Sequence, residues 1–217
     1  MAFTKEEARQ CVLSCAKIYN NKLLNKQVLI IYREHKDNQI RSIEVAFYKR
    51  NFQHLTGLEL IDHNGNVIHN QSNNFYRKCI QNKLSINDFQ FKKDGTTPLK
   101  LAALPALMNL TKITKISGDY NNVRPYLFVD KVVGGVNFCL GLTKSDNFYV
   151  PSSALLENIK NLTDAPSQVL AIFQKDSNEN IYTTIKHTSK GINLNTIIFP
   201  DNIKSQIDLK NYIYKCK

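Results

Sequence analysis

The chain has 217 residues, of which 42% are hydrophobic and 22% charged, with a formal net charge of +11. This composition is ordinary for a globular protein with a normal core. No apolar run is long enough to span a bilayer, and acidic residues stand where a secretory signal would be basic, so we expect a cytoplasmic protein. The basic excess favours contact with a polyanion such as nucleic acid, but a solubility charge on a Lys- and Asn-rich protein explains it equally well.

The N-terminal part of the chain is expected to form a helix followed by a β-hairpin. Thr4 precedes acidic residues and apolar residues that recur at helical spacing, which predicts a helix over about 4–24. Two β-rich runs, at 28–32 and 42–48, are separated by turn residues and therefore predict a pair of antiparallel strands.

A tight turn and two helices are expected in the middle of the chain. Asn64 and Gly65 form a strong turn signal between short apolar runs. Ser72 can cap a helix that continues to about residue 83. Thr97 is expected as the N-cap of a further helix, with Pro98 in its first position.

From about residue 111 onward the pattern turns to β-structure. Short connections favour an antiparallel meander over parallel crossovers, and Pro151 is expected to open a helix that ends near residue 161. No linker stands out, so we expect a single α+β domain over 1–217, with a C-terminal extension at about 188–217. The strand candidates are 112–117, 126–132, 136–143, 148–150, 169–174 and 181–187.

The cysteines and histidines give little support for a bound metal or cofactor. No two cysteines have the Cys-x-x-Cys spacing of a zinc or redox site, so reduced and mostly buried thiols are expected. Asp62, His63 and His69 have suitable residue types, but no acidic cluster supports them, and we expect neither metal nor cofactor. The cysteines are Cys11, Cys15, Cys79, Cys139 and Cys216.

The segment 51–57, Asn-Phe-Gln-His-Leu-Thr-Gly, combines a titratable side chain with a hydroxyl. In an extended segment, residues two apart face the same side, so His54 and Thr56 would share one surface. Histidine can act as a general base or acid near neutral pH, and a threonine hydroxyl can hold a phosphate oxygen. A histidine beside Leu and Phe is also commonly a packed core residue.

Two cations are candidates for phosphate contacts. Arg33 closes the first predicted strand, where its guanidinium can grip a phosphate or pair with Glu34 or Glu44. Lys100 belongs to a basic, hydroxyl-rich segment, 92–100, that leads into a helix. Helix N-termini attract anions, although the sequence favours a purely capping role for this segment.

Three further candidates lie in the predicted meander. Tyr149 can donate a proton or stack on a base, and Ser152 can bind a phosphate. The competing interpretation is that Tyr149 fills the edge of the core and that Ser152 caps the following helix. Lys131 is a candidate for stabilising negative charge on a reacting phosphate.

Several short strings occur in an order that resembles a known group of families. The chain is similar, over about residues 28–175, to the phage-associated Barnase–EndoU–Colicin E5/D–RelE-like nucleases, and most closely to the fourth family, PBECR4. The strings are 51–57, Asp94-Gly-Thr-Thr-Pro-Leu-Lys100, Leu104-Pro-Ala-Leu-Met108, Gly118-Asp-Tyr120, Cys139-Leu-Gly141 and Phe148-Tyr-Val-Pro151.

This resemblance implies an α+β fold with a Barnase/RelE-like core, in which helices precede an antiparallel sheet. It also implies a metal-independent ribonuclease, often deployed as a toxin between phages and bacteria, with His54 and Thr56 in the family motif. The expected partners are RNA, either tRNA or mRNA, and an immunity protein.

The alternative hypothesis is a non-catalytic, phage-encoded binding protein or inhibitor of a host defence complex on the same fold. A DNA-binding regulator is disfavoured because no helix-turn-helix, zinc-finger or basic-zipper signature is present.

Overall fold

A large, mainly antiparallel β-sheet with helices α1 to α4 packed on one face organises this mixed α+β protein. The computed structural model describes residues 2–123, 127–210 and 212. Its helices are α1 (Lys5–Lys22), α2 (Lys49–Thr56), α3 (Ser72–Ile80), α4 (Thr97–Leu107), α5 (Leu110–Ile113) and α6 (Asp201–Lys204). Its strands are β1 (Lys26–Arg33), β2 (Ile40–Ala46), β3 (Leu58–Leu60), β4 (Phe89–Phe91), β5 (Ile116–Asp119), β6 (Lys131–Gly134), β7 (Cys139–Ser145), β8 (Phe148–Leu155), β9 (Ser167–Asp176) and β10 (Thr184–Thr188).

The large sheet closes on itself. Its strand order is β1-β2-β8-β7-β6-β5-β9-β10, and β1 also pairs with β9. The seven strands from β1 to β9 in that order therefore form a closed ring, and β10 pairs with β9 outside it. The predicted hairpin β1–β2 is confirmed. The predicted antiparallel meander is found from β5 to β8, whereas β9 does not continue it and pairs instead with β1, β5 and β10. The junction between β2 and β8 is parallel and joins Val45 to Tyr149. Strands β3 and β4 form a separate small sheet.

The continuous apolar run of β1 follows from burial on both of its faces. Val28 and Ile30 face the main core, which lies between the sheet and helices α1 to α4. Leu29 and Ile31 face a second core that is covered by residues from the C-terminal segment, including Leu194. A strand covered on both sides reads as an unbroken hydrophobic run instead of an alternating one.

Helix α1 begins as its sequence predicts. The Thr4 hydroxyl accepts a hydrogen bond from the backbone N–H of Glu7 at 3.2 Å, and the Glu7 carboxylate accepts one from the backbone N–H of Thr4 at 2.8 Å. This reciprocal capping box satisfies two backbone donors that the helix itself leaves free. The buried face of α1 ends at Tyr19, whose hydroxyl donates to the carbonyl of Tyr48 at 3.0 Å.

Two predicted segments are wrong in type. The segment expected to be extended at 51–57 is helical, because Phe52 and Leu55 are spaced by three residues and both are fully buried on one side of α2. The helix expected from Pro151 is absent, because β8 continues through Leu155 with a register shift beside Leu142. Proline is tolerated in a strand at such an irregularity.

Smaller differences occur at the ends of elements. Residues 110–113 form the short helix α5, so the strand expected at 112–117 begins at Ile116 instead. The strand expected at 126–132 begins at a residue outside the described part of the chain, and β6 covers Lys131–Gly134. Four cysteines are free thiols, three of them buried, whereas Cys216 lies outside the described residues.

Gly57 ends α2 in the left-handed conformation, with φ of +69°. An added Cβ would lie 3.0 Å from the Thr97 Cα atom, so the glycine also permits a close approach between backbones. Gly65 also has a positive φ, of +82°, but no atom lies within 4 Å of an added Cβ. A substitution at Gly65 therefore introduces backbone strain without crowding.

We expect Gly57→Ala to lower the free energy of unfolding by about 2–3 kcal/mol, because strain and crowding add together. Gly65→Ala should cost only about 1 kcal/mol, which is the conformational part. Urea denaturation of both variants checks this expectation. Equal losses in the two proteins would show that the close approach at Gly57 has no energetic weight.

Candidate functional site

His54 lies in the last turn of α2, with its side chain exposed. Successive residues of an α-helix are rotated by about 100°, so His54 and Thr56 point about 200° apart. The expectation that these two side chains share a surface is therefore wrong, and its cause is the helical backbone of this segment.

The Thr56 hydroxyl is committed to the backbone. It donates to the carbonyl of Gln53 at 2.8 Å and accepts from the backbone N–H of Leu58 at 3.1 Å. The residue is fully buried. These contacts satisfy backbone groups at the end of α2, so Thr56 has a structural role. Because the residue is buried, its hydroxyl cannot reach a phosphate.

Two of the strings that carry the family resemblance meet at this helix end. The Thr97 hydroxyl donates to the carbonyl of Gly57 at 2.6 Å and accepts from the backbone N–H of Lys92 at 2.9 Å. The Lys100 ammonium donates to the carbonyl of His54 at 2.9 Å. Thr96, and not Thr97 as expected, occupies the N-cap position of α4, and Thr97 is the first residue of the helix.

A cleft of about 270 Å³ opens beside His54, and we call it the histidine cleft. A second imidazole, that of His69, lines it, together with the side chain of Lys92. The sequence indicates His69 only as a possible metal ligand, and its position fifteen residues after His54 is a weak signal that the two side chains share a cleft. The lining residues are Gln53, His54, Leu58, Glu59, Val67, Ile68, His69, Asn70, Ser72 and Lys92.

The environment of His54 favours its neutral form. The pKa of the imidazole is lowered because the ring is partly desolvated and because Lys92 and Lys100 place positive charge nearby. Burial, together with Lys92, also lowers the pKa of the Lys100 ammonium. A neutral imidazole beside cations can accept a proton at neutral pH, while the cations stabilise a negatively charged ligand.

Arg33 lies far from this cleft. It is six residues along β1 from Gln27, which pairs with Ala46 just before α2, and this corresponds to about 20 Å of strand. Its guanidinium donates to the side chain of Asn38 at 3.5 Å. Glu34, one of its expected partners, instead pairs with Arg41 at 3.0 Å.

Lys131 and Tyr149 form a second group, on the sheet. Lys131 makes an ion pair with Asp119 on the neighbouring strand β5. Burial alone would lower the pKa of Lys131, but its hydrogen bond to Asp119 and the nearby phenols of Tyr32 and Tyr149 raise it overall. Among the described residues, no hydrogen bond or ion pair joins this group to the histidine cleft.

Ser152 follows Tyr149 along β8 and is half-buried there. It therefore does not cap a helix, which removes the structural role that its sequence had indicated. Tyr149 packs partly buried against the main core, as the competing interpretation of this residue expected.

The family model described as phage-Barnase-EndoU-ColicinE5/D-RelE like nuclease 4 matches residues 12–191. No curated protein and no solved structure matches the chain. Within the described residues, no helix combines the length and apolar character needed to cross a bilayer. No group of three or more His, Cys, Asp or Glu side chains in the same residues is arranged to hold a metal ion.

We expect Thr56→Val to lower the free energy of unfolding by about 1–3 kcal/mol, because it leaves the buried N–H of Leu58 and the carbonyl of Gln53 without their partner. Thr56→Ser keeps the hydroxyl and should cost only about 1 kcal/mol for the lost methyl group. Thermal and urea unfolding test the pair of variants. A valine variant as stable as the parent would remove the structural assignment.

We expect the His54 ring to titrate below about 6.5, the value of an unperturbed histidine. Removing a nearby positive charge by Lys92→Met should raise its pKa, whereas Lys93→Met, at an exposed neighbouring position, should leave it unchanged. NMR titration of the ring protons measures all three proteins. A pKa at or above 6.5 in the parent would contradict the electrostatic argument.

Proposed function

The chain belongs to the PBECR4 family of phage-associated Barnase–EndoU–Colicin E5/D–RelE-like nucleases, and on this basis we propose that it is a metal-independent endoribonuclease. The observation that carries the proposal is a neutral, accessible imidazole in a cleft beside cationic side chains, at the point where two family strings meet. The substrate we propose is tRNA or mRNA.

The mechanism we propose begins with the neutral imidazole of His54. It takes the proton from a ribose 2′-hydroxyl, whose oxygen then attacks the adjacent phosphorus. The bond from phosphorus to the 5′-oxygen breaks, and His69 donates a proton to that oxygen. The products are a 2′,3′-cyclic phosphate and a free 5′-hydroxyl. Lys92 stabilises the charge that develops on the phosphate.

Three features support this division of roles. His69 lines the same cleft as His54, whereas Tyr149, the acid suggested by sequence, lies on β8 against the core. The ammonium of Lys100 holds the backbone carbonyl of His54, so it positions the helix end as well as adding charge. Thr56 and Arg33 take no part, because one is buried and the other is distant.

The remaining expectations stay proposals. A Barnase/RelE-like core over about 28–175, a cytoplasmic location and service as a toxin against which an immunity protein protects are all consistent with family membership. We propose that Lys131, Tyr149 and Ser152 contribute contacts to RNA outside the cleft.

We expect His54→Ala to reduce the rate of RNA cleavage in chelator by at least about 10²-fold, because a positioned general base contributes about 10²–10⁴-fold. His63→Ala is the matched control, since His63 is exposed and does not line the cleft; its rate should stay within about twofold of the parent. Labelled tRNA and mRNA, followed on denaturing gels, provide the measurement.

The outcomes separate the hypotheses. If His54→Ala cleaves RNA at the parental rate, His54 is not the catalytic base, although the protein is still a ribonuclease. RNA binding without cleavage by the parent protein would support the non-catalytic binding protein or inhibitor of a host defence complex instead.

A further inference from the structure

A second and larger cavity, of about 560 Å³, opens among residues of α1, α2 and α3. Its lining contains five carboxamide side chains and two cations, with Tyr76 and Ile80 completing it. We call it the amide groove. The carboxamides are Asn20, Gln71, Asn73, Asn74 and Gln81, and the cations are Lys49 and Arg77.

The stretches of chain that line the amide groove carry no acidic side chain. The segments 8–33, 45–58 and 63–87, which include most of α1 and all of α2 and α3, have no Asp or Glu. No carboxylate lines the groove either. The local field is therefore positive, and it favours a ligand that carries phosphates or other anionic groups.

In the amide groove, the buried Tyr76 is held in place by its neighbours, whereas other lining side chains have free hydrogen-bonding groups. The Tyr76 ring is 3% exposed and packs edge-on against Phe52, with ring centroids 5.4 Å apart. Its hydroxyl donates to the Asn20 side chain at 3.1 Å. Among the described residues, the side-chain amides of Gln71 and Asn73 have no hydrogen-bond partner, so they remain available to a ligand.

The cation Arg77 is already oriented. Its guanidinium donates to the Asn74 side-chain oxygen at 2.9 Å, which leaves the Asn74 amide N–H groups and the other guanidinium N–H groups for a ligand. Burial raises the pKa of Tyr76 to about 12, so its phenol stays neutral and adds no negative charge to the groove.

The amide groove and the histidine cleft are adjacent. Asn70 and Ser72 line the cleft, whereas Gln71 and Asn73 line the groove, so successive residues of one short segment face the two cavities. Consecutive Cα atoms are about 3.8 Å apart, so residues that line the two cavities are direct neighbours in this segment. Along α2, Lys49 lines the groove and Gln53 the cleft, about one helical turn away.

We propose that the amide groove binds the single-stranded RNA segment next to the cleaved phosphate, an inference that rests on the proposed ribonuclease function. Carboxamides carry both donors and acceptors and can read the edges of unpaired bases. Lys49 and Arg77 pair with the flanking phosphates. An acidic protein surface would be matched mainly by cations, whereas this groove has more than twice as many amides as cations.

The test measures binding without cleavage. A labelled, mixed-sequence single-stranded RNA with 2′-O-methyl groups lacks the attacking hydroxyl, so fluorescence anisotropy reports affinity alone. We expect the double variant Asn73→Ala/Gln81→Ala to bind about tenfold more weakly, through the loss of two net hydrogen bonds. The matched control, Asn178→Ala/Asn180→Ala, removes two exposed carboxamides far along the chain and should bind as the parent does.

A charge variant tests the second part of the proposal. Arg77→Gln should reduce the slope of log affinity against log salt by about 0.7, as expected for one lost phosphate contact on a single strand. Poly-glutamate should compete poorly with the RNA. Unchanged affinity in the amide variant, or competition by poly-glutamate as strong as by RNA, would overturn the proposal in favour of charge alone or an acidic protein partner.

Failure of the groove is distinguishable from failure of the nuclease. If the groove variants cleave and bind like the parent while His54→Ala is inactive, the RNA-binding role of the groove is rejected and the nuclease function is retained. A parent that never cleaves, but whose binding still depends on Asn73 and Gln81, would keep the groove as a binding site and remove the catalytic proposal.

Discussion

The buried hydroxyl of Thr97 is the contact on which the histidine cleft depends. It joins the carbonyl of Gly57 and the backbone N–H of Lys92, and it is fully buried. One hydrogen bond contributes only about 1 kcal/mol, but a buried partner left unsatisfied costs about 1–3 kcal/mol. Because three separate segments share this hydroxyl, the end of α2, the segment with Lys92 and the start of α4 are held in one arrangement.

One side of helix α2 packs in the core, and its other side presents residues to the two cavities. Phe52 and Leu55 are buried in the main core, where the Phe52 ring packs against Tyr76. Lys49 lines the amide groove and His54 lines the histidine cleft. The same hydrophobic packing therefore underlies both cavities. The segments 45–58 and 63–87 carry no carboxylate, and Glu59 is the one acid in the lining of the cleft.

The helical state of residues 51–57 could have been predicted from signals in the sequence. Phe52 and Leu55 have helical spacing, and Gly57 stands where a helix commonly ends in the left-handed conformation. In so short a window a period of two and a period of 3.6 are hard to separate, and the extended interpretation placed Thr56 beside His54. Burial of Phe52 and Leu55 on one side of the segment favours the helix, and that burial depends on tertiary packing.

The sequence alone determined the local secondary structure of several segments and the net charge of the protein. The capping box at Thr4, the β1–β2 hairpin and the meander depend on neighbouring residues, and the net charge needs no structure. Tertiary structure decided the closure of the sheet through β1 and β9, and the contact between Thr97 and Gly57, forty residues apart. It also brought His69 and Lys92 to His54. Such contacts depend on how whole faces pack and are shared among distant segments, so no local pattern encodes them.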